Sequence, residues 1–311
     1  MRKASAALAV AAFALSSCAL GPPAPGGFVF GVMGDTPYLE GEVPRVTAMI
    51  ERMNAEPLAF VIHVGDIKAG SNSPCTDALF EERRAQLDRS THPLVYTPGD
   101  NEWVDCRRKT NGGFDPLERL QRLREIFFAR PHLGSGELEV ASDKQVLSGC
   151  GGYPENRTWT YDRVRFATVN IQGSHNNERF DERSDAEALC RNAANGAWIE
   201  EAARLAQSEN ARALVIATQA DPWVERARGF SELLAQIPAV ARRLQRPVLF
   251  VHGDTHLYKY DTPFTDANGP MPNASRLVTY GSPLVGWVRV TVDPASAAVF
   301  RVEPELQAIV R

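Results

Sequence analysis

The chain has 311 residues, 44% hydrophobic and 23% charged, with a formal net charge of −4. Such a composition can bury a large core and excludes a disordered or fibrous protein. The acidic balance argues against a nucleic-acid binder, which is ordinarily basic, and no block of like charges marks an interaction tail.

The N-terminus reads as an export signal. Arg2 and Lys3 precede the apolar run AALAVAAFAL at 6–15, which is too short for a stable membrane span. It ends in LSSC at 15–18, which resembles a bacterial lipobox with Cys18 as the lipidated residue. The stretch GPPAPGG at 21–27 follows as a Pro/Gly tether without core-forming side chains. The expected organisation is a signal peptide over 1–18, a tether over 19–27 and one domain over 28–311. The expected location is the bacterial periplasm or cell envelope, with membrane contact through the lipid anchor alone.

Beyond the tether, FVFGVM at 28–33 predicts a buried strand, and Val43, Val46, Ile50 and Met53 place a helix over 42–54. LAFVIHV (58–64) and PLVYT (93–97) predict further strands, with helices over 76–90 and 115–129. This alternation implies right-handed crossovers and a largely parallel sheet. The stretch 131–157 reads as a long surface excursion. WTYDRVRFATVNI (159–171) reads as a hairpin turning at Asp162–Arg163. A helix over 185–208 is weakened by Asn192, Asn195 and Gly196. ALVIAT (213–218), a helix over 229–244 containing Pro238, and PVLFV (247–251) follow. The tail segments 276–281, 286–292 and 298–303 read as an antiparallel meander.

Apart from Cys18, the cysteines are Cys75, Cys106, Cys150 and Cys190, an even number in an oxidising compartment. Three connectivities are open. Cys75–Cys106 with Cys150–Cys190 is the favoured pairing, since the first pair sits in loops expected to converge.

The strand ends share a pattern. The runs continue as VMGDTPY with Asp35, HVGDIKAG with Asp66, YTPGDNEW with Asp100, Asn101 and Glu102, ATQADPW with Gln219 and Asp221, and VHGDTHLY with Asp254 and His256. In open α/β sheets, ligand sites form beyond the carboxyl ends of strands. Glycine permits a sharp exit or a positive φ, and the aspartate then presents oxygens to the crevice. Carboxylates converging there repel one another unless a divalent cation neutralises them.

In order and spacing this pattern resembles the calcineurin-like metallophosphoesterase superfamily. Its signature runs Asp-x-His, Gly-Asp, Gly-Asn-His-(Glu/Asp), His and Gly-His-x-His, each at a strand end. The resemblance covers roughly residues 28–260. It implies an α/β fold, a four-layer α/β/β/α sandwich of two mixed sheets flanked by helices, around a dinuclear metal site that activates a water for phosphoester hydrolysis. Asp35 and Asp66 match the first two motifs, and Pro37 replaces the following His. Asp100 stands for the Asn ligand, Asn101 for the catalytic-loop His, and Glu102 keeps the last place. Gln219 stands for the isolated His, Asp254 for the next, and His256 keeps the last.

The implied metal set is Asp35, Asp66, Asp100, Gln219, Asp254 and His256, with Asn101 and Asp66 in catalytic roles and Glu102 behind them. Its oxygen-rich chemistry favours Mn or Mg, then Ca, ahead of Zn or Fe. Lys68, Arg107, Arg108 and His175 are candidates for substrate binding. The expected substrate is a small phosphorylated molecule or nucleotide, not a nucleic-acid duplex. The competing reading is a metal-binding module that keeps the fold without catalysis. The sequence His252–His256 lacks the Glu and the helix of a zinc protease, and no Gly-x-Ser-x-Gly elbow or P-loop is present.

Overall fold

The structure, a computed structural model, describes residues 27–143, 150–293 and 295–306. The expected signal, the tether up to residue 26 and Cys18 lie outside the described residues. The long strands are β1 (Phe28–Met33), β5 (Tyr153–Tyr161), β6 (Val164–Thr168), β7 (Ala213–Ala217), β8 (Val248–His252), β12 (Ala274–Val278), β13 (Gly286–Val292) and β14 (Phe300–Leu306). Shorter ones are β2 (Val61–His63), β3 (Leu94–Tyr96), β4 (Ala141–Asp143) and β9 (Lys259–Asp261), with a small ribbon of β10 (Thr265–Asp266) and β11 (Gly269–Pro270). The main helices are α1 (Val43–Asn54), α2 (Asp77–Leu87), α3 (Pro116–Phe127), α4 (Glu182–Ser208) and α5 (Arg228–Leu244).

Two mixed sheets form the body. One runs β14–β13–β1–β2–β3 and the other β4–β5–β6–β7–β8–β12–β9. Strands β1, β2 and β3 are parallel, as are β6, β7, β8 and β12. The strands that run straight through the apolar segments are buried on both faces, which is why they read as unbroken hydrophobic runs.

Three apolar clusters set the layers. Phe30, Phe60, Val64, Trp159, Phe166, Val215 and Leu249 meet between the sheets. There Trp159 stacks on Phe166 at 5.1 Å, and Phe60 meets Trp159 edge-on at 5.5 Å. Met49, Phe80, Leu120 and Leu123 cover the outer face of the first sheet, while Ile199, Ala203, Leu233 and Ile237 cover that of the second. This is the metallophosphoesterase-type four-layer sandwich, and it aligns the carboxyl ends of β1, β2, β3, β7 and β8.

Helix starts follow the side-chain chemistry. Thr76, Asp115 and Asp181 each accept a backbone N–H from the first turn of α2, α3 and α4. The hairpin turns where the sequence places it, with Tyr161 opposite Val164 and both Asp162 and Arg163 at positive φ.

Four expectations are corrected. Helix α4 starts at Glu182 and runs unbroken to Ser208, because the residues that weaken it locally are used elsewhere. Asn195 donates to the Asn170 carbonyl at 2.8 Å, and the Gly196 carbonyl accepts from Gln236 at 2.8 Å. The tail is not one meander: β12 pairs with β8 in one sheet, while β13 crosses to pair antiparallel with β1 in the other. The 131–157 stretch contains β4 and the start of β5, and a bridge ties Leu133 to Leu94. The strands expected over 58–64 and 93–97 shorten to three residues each.

His63 on β2 is fully buried, and its Nδ1 accepts the Gly65 N–H at 3.1 Å. Burial lowers its pKa from 6.5 to about 3. The unfolded chain therefore binds this proton first, so the contribution of neutral His63 is complete above the ordinary value and lost as pH falls toward about 3. Chemical denaturation between those limits should show a His63-dependent slope of up to about 1.4 kcal/mol per pH unit. The slope should flatten in His63→Asn. An identical slope in the variant would assign the acid loss to other groups.

Candidate functional site

The four Gly-Asp dipeptides and the Gln219 segment meet at the aligned strand ends. Asp35, Asp66 and Asp254 take left-handed backbone conformations, with φ of 53°, 58° and 71°, and His256 does so at 63°. Such conformations are costly for non-glycine residues and persist where the surroundings hold them. The glycines serve mainly to make room for one another's carboxylates. A Cβ on Gly99 would lie 2.0 Å from Asp66 Oδ1, and one on Gly253 would lie 2.0 Å from Asp35 Oδ2. Of the four, only Gly65 has a positive φ, at 92°.

Asp66 is the hub. Its Oδ2 accepts from the Tyr38 hydroxyl at 2.8 Å, Asn101 Nδ2 at 2.8 Å and Gln219 Nε2 at 3.2 Å, and its Oδ1 accepts the Asn101 N–H at 3.1 Å. Beneath it, Glu102 Oε1 accepts the N–H of Asp66 at 3.0 Å, the N–H of Gly99 at 2.8 Å and the Tyr96 hydroxyl at 2.6 Å. One carboxylate thus ties two metal-type loops to strand β3.

Asp35 Oδ1 accepts the Asp254 N–H at 2.9 Å, whereas Asp35 Oδ2 is buried without a partner. His256 Nδ1 lies 2.7 Å from the Ser282 carbonyl, an acceptor only, so Nδ1 carries the proton. The Nδ1-protonated tautomer leaves its lone pair on Nε2, which sits 3.9 Å from Asp35 Oδ1. Asp254 Oδ2 accepts the Asp221 N–H at 3.0 Å, and Asp100 Oδ2 accepts from the Ser174 hydroxyl at 2.8 Å.

Burial dominates the electrostatics. It raises the carboxyls of Asp35, Asp66 and Asp100 above their ordinary range, and takes Asp254 up to about 7. Mutual repulsion adds to this: Asp254 and Asp100 act on Asp35, and Asp100 also acts on Asp66 and Asp254.

The basic candidates fall elsewhere. Lys68 is a correction: it is buried, and its Nζ donates to the Ala69 and Asn101 carbonyls at 2.8 and 2.7 Å rather than facing a substrate. Burial lowers its pKa to about 8. Arg107 stacks over Phe180 at 3.5 Å and bonds the Val104 carbonyl and Asn177. Arg108 pairs with Asp105 at 2.7 Å and reaches Ser174 at 3.5 Å. His175 is exposed at φ 56°, with its N–H on Glu225 at 2.7 Å. Gln219, not Asp221, reaches the centre, since Asp221 Oδ1 is taken by the Trp223 N–H. Tyr38 was missed by the sequence reading, because a tyrosine three residues beyond a strand-end aspartate carries no motif.

Cys75 bridges Cys106 with Cα atoms 5.7 Å apart, and Cys150 bridges Cys190 at 5.5 Å. The first bridge lies directly under the Asn101 carbonyl. It fixes the loop that carries Asp100 and Asn101.

The expected ligand set converges without forming a metal shell. No group of three or more His, Cys, Asp or Glu side chains among the described residues is arranged to hold a metal ion. A position made of Asp66, Asp100, Asp254 and Gln219 does not fit: Asp66 already accepts four hydrogen bonds, about the capacity of a carboxylate, and Gln219 turns an N–H toward it while its Oε1 accepts from Gly173. A position made of Asp35, Asp66 and His256 retains two suitable atoms, the unpartnered Asp35 Oδ2 and His256 Nε2. The residues therefore fit at most one cation.

The fold is shared with solved structures. GAP50, the anchor in the inner membrane complex of Plasmodium, superposes with a TM-score of 0.52 at 9% identity, over 91% of this chain and 90% of that one. The 5'-nucleotidase from Candida albicans SC5314 superposes with a TM-score of 0.50 at 13% identity, over 89% of this chain and 51% of that one. This chain thus spans about half the nucleotidase. No family model and no curated protein matches the sequence. At these identities the likeness establishes the phosphoesterase-like fold.

The role of the glycines is open to direct test. Gly253→Ala should cost about 1–3 kcal/mol in urea denaturation by pushing on buried Asp35. Gly41→Ala, where nothing lies within 4 Å of the added Cβ, should change stability by no more than about 0.5 kcal/mol. Equal effects at both positions would refute the crowding argument.

Proposed function

We propose that the protein is a divalent-cation-dependent phosphoesterase that cleaves a small phosphorylated molecule, with one cation at the Asp35–His256 side of the site. The carrying observation is the buried Asp35 Oδ2, which has no partner, with His256 Nε2 3.9 Å from the other Asp35 oxygen, among the strand-end carboxylates. A bound Mn or Mg would polarise the phosphoryl group and lower the pKa of a bound water. The chain's own residues would do the rest. Asp254 and Asp35 are locked to each other by the 2.9 Å backbone bond, which fixes the ligand side. Tyr38, Asn101 and Gln219 hold Asp66 and stand where a second ion would bind.

Asn101 can donate a hydrogen bond to a phosphoryl or leaving-group oxygen but cannot deliver a proton at neutral pH. Cleavage should therefore depend on the leaving group. The two disulfides support an exported protein in an oxidising compartment. A lipid anchor at Cys18 and a nucleotide as substrate remain part of the same proposal. No helix among the described residues is long and apolar enough to cross a membrane.

A second reading has its own observation. Saturation of Asp66 by four donors also suits a module that keeps the fold and binds without hydrolysis.

Elemental analysis after dialysis against Mn or Mg should find one ion per chain, lost in Asp35→Asn and in His256→Ala. Two ions would show that the Asn101 and Gln219 amides turn aside and that the site is dinuclear. None, with no chelator-sensitive hydrolysis, would favour the binding module.

A second prediction concerns the missing acid. Aryl phosphates with acidic leaving groups should be cleaved at least about 100-fold faster than alkyl phosphates, the contribution a general acid normally makes. Equal rates would mean that another group supplies the proton.

A further inference from the structure

A cavity of about 870 Å³ opens beside the acidic cluster, between the segments 178–192 and 222–234. Trp223 and Leu189 line it while 37% and 54% exposed, so part of its wall is apolar. Trp223 is held in place rather than loose. The Arg276 guanidinium lies 4.3 Å from its ring centroid, and Phe264 meets the ring at 5.3 Å.

The charges of this wall are unevenly engaged. Glu178 accepts the N–H groups of Arg228 and Gly229 and the Asn192 side chain. Asp185 accepts the Arg179 N–H, and Glu225 accepts the His175 N–H. The three carboxylates are thus occupied by backbone donors. Arg179, Arg226 and Arg228 line the same cavity, and no ion pair or side-chain hydrogen bond of theirs occurs among the described residues. Three unpaired arginines beside an exposed indole form a surface for an anion with a flat apolar body.

The cavity wall follows the acidic centre along the chain, although none of the centre's four carboxylates lines it. The Asp221 N–H bonds Asp254 at 3.0 Å just before Pro222 and Trp223, and Glu225 repels both Asp100 and Asp254. We infer that this cavity is the specificity pocket of the site, binding an organic anion through its aromatic or extended apolar part and a second acidic group. It rests on the phosphoesterase reading only for the bond that is broken. The recognition itself needs no metal.

The test is calorimetric titration of the full chain, after chelator treatment, with naphthalene-1,5-disulfonate as a flat dianionic probe. Saturable one-to-one binding is expected, weakened by screening salt. Affinity should fall about tenfold or more in the double variant Arg226→Ala, Arg228→Ala, since charge-assisted bonds are the strong ones, and should fall also in Leu189→Glu. It should be unchanged in Asp35→Asn. Leu189, Arg226 and Arg228 are exposed, and thermal midpoints would verify that the variants fold.

Absence of saturable binding would overturn the inference. So would equal affinity in the arginine variant, or loss of binding in Asp35→Asn, which would put the probe at the acidic centre. Probe binding without any phosphate-ester hydrolysis would keep the pocket and sink the phosphoesterase reading.

Discussion

Everything at this site turns on bringing four carboxylates together at the ends of buried strands. Asp35, Asp66 and Asp100 are almost wholly buried and Asp254 largely so, and each one's neighbours include another of the set. Isolated ionised carboxylates in such a place would be expensive, and they either take up protons, gather hydrogen-bond donors or bind a cation. The chain uses the second device wherever it can, which is visible in the unequal treatment of the four.

Asp66 is surrounded by donors from Tyr38, Asn101 and Gln219, drawn from three separate strand ends. Two of these residues stand where the metallophosphoesterase pattern has histidines. An imidazole with a free lone pair serves a metal, whereas an amide turned by Gly173 to present N–H serves a carboxylate. At Gln219 the site thus offers Asp66 an N–H donor rather than a lone pair. On the other side, His256 keeps its lone pair because the Ser282 carbonyl takes the Nδ1 proton. The one-cation proposal rests on that asymmetry.

The surrounding structure is organised to hold this arrangement. The Cys75–Cys106 bridge, buried Lys68 and Glu102 all act on the loop bearing Asp100 and Asn101. Lys68 shows how misleading proximity in sequence can be. Two residues after Asp66, it looks like a substrate-facing cation, yet its ammonium closes the underside of the loop through two carbonyls. The arginines that line the neighbouring cavity instead sit at 179, outside the strand-end motifs, and at 226 and 228, just beyond the Gln219–Asp221 segment.

The sequence by itself determined the strand ends and the order of the Gly-Asp motifs, because these follow from local apolar runs and turn chemistry; the sandwich was what the resemblance carried by that order implied. It also placed the hairpin at Asp162–Arg163, where the two turn residues alone decide the geometry. It did not determine the tail, since β12 and β13 are alike as apolar strands and only packing assigns them to different sheets. It placed helix α4 but not its continuity, since Asn195 opposes a helix locally and is engaged by the Asn170 carbonyl 25 residues away. The state of the carboxylates was likewise beyond it. Residue identity says that an Asp, Asn or Gln stands at a strand end, but whether its oxygen or its N–H faces the centre depends on which backbone group holds its other end, and only the tertiary structure brings that group into place.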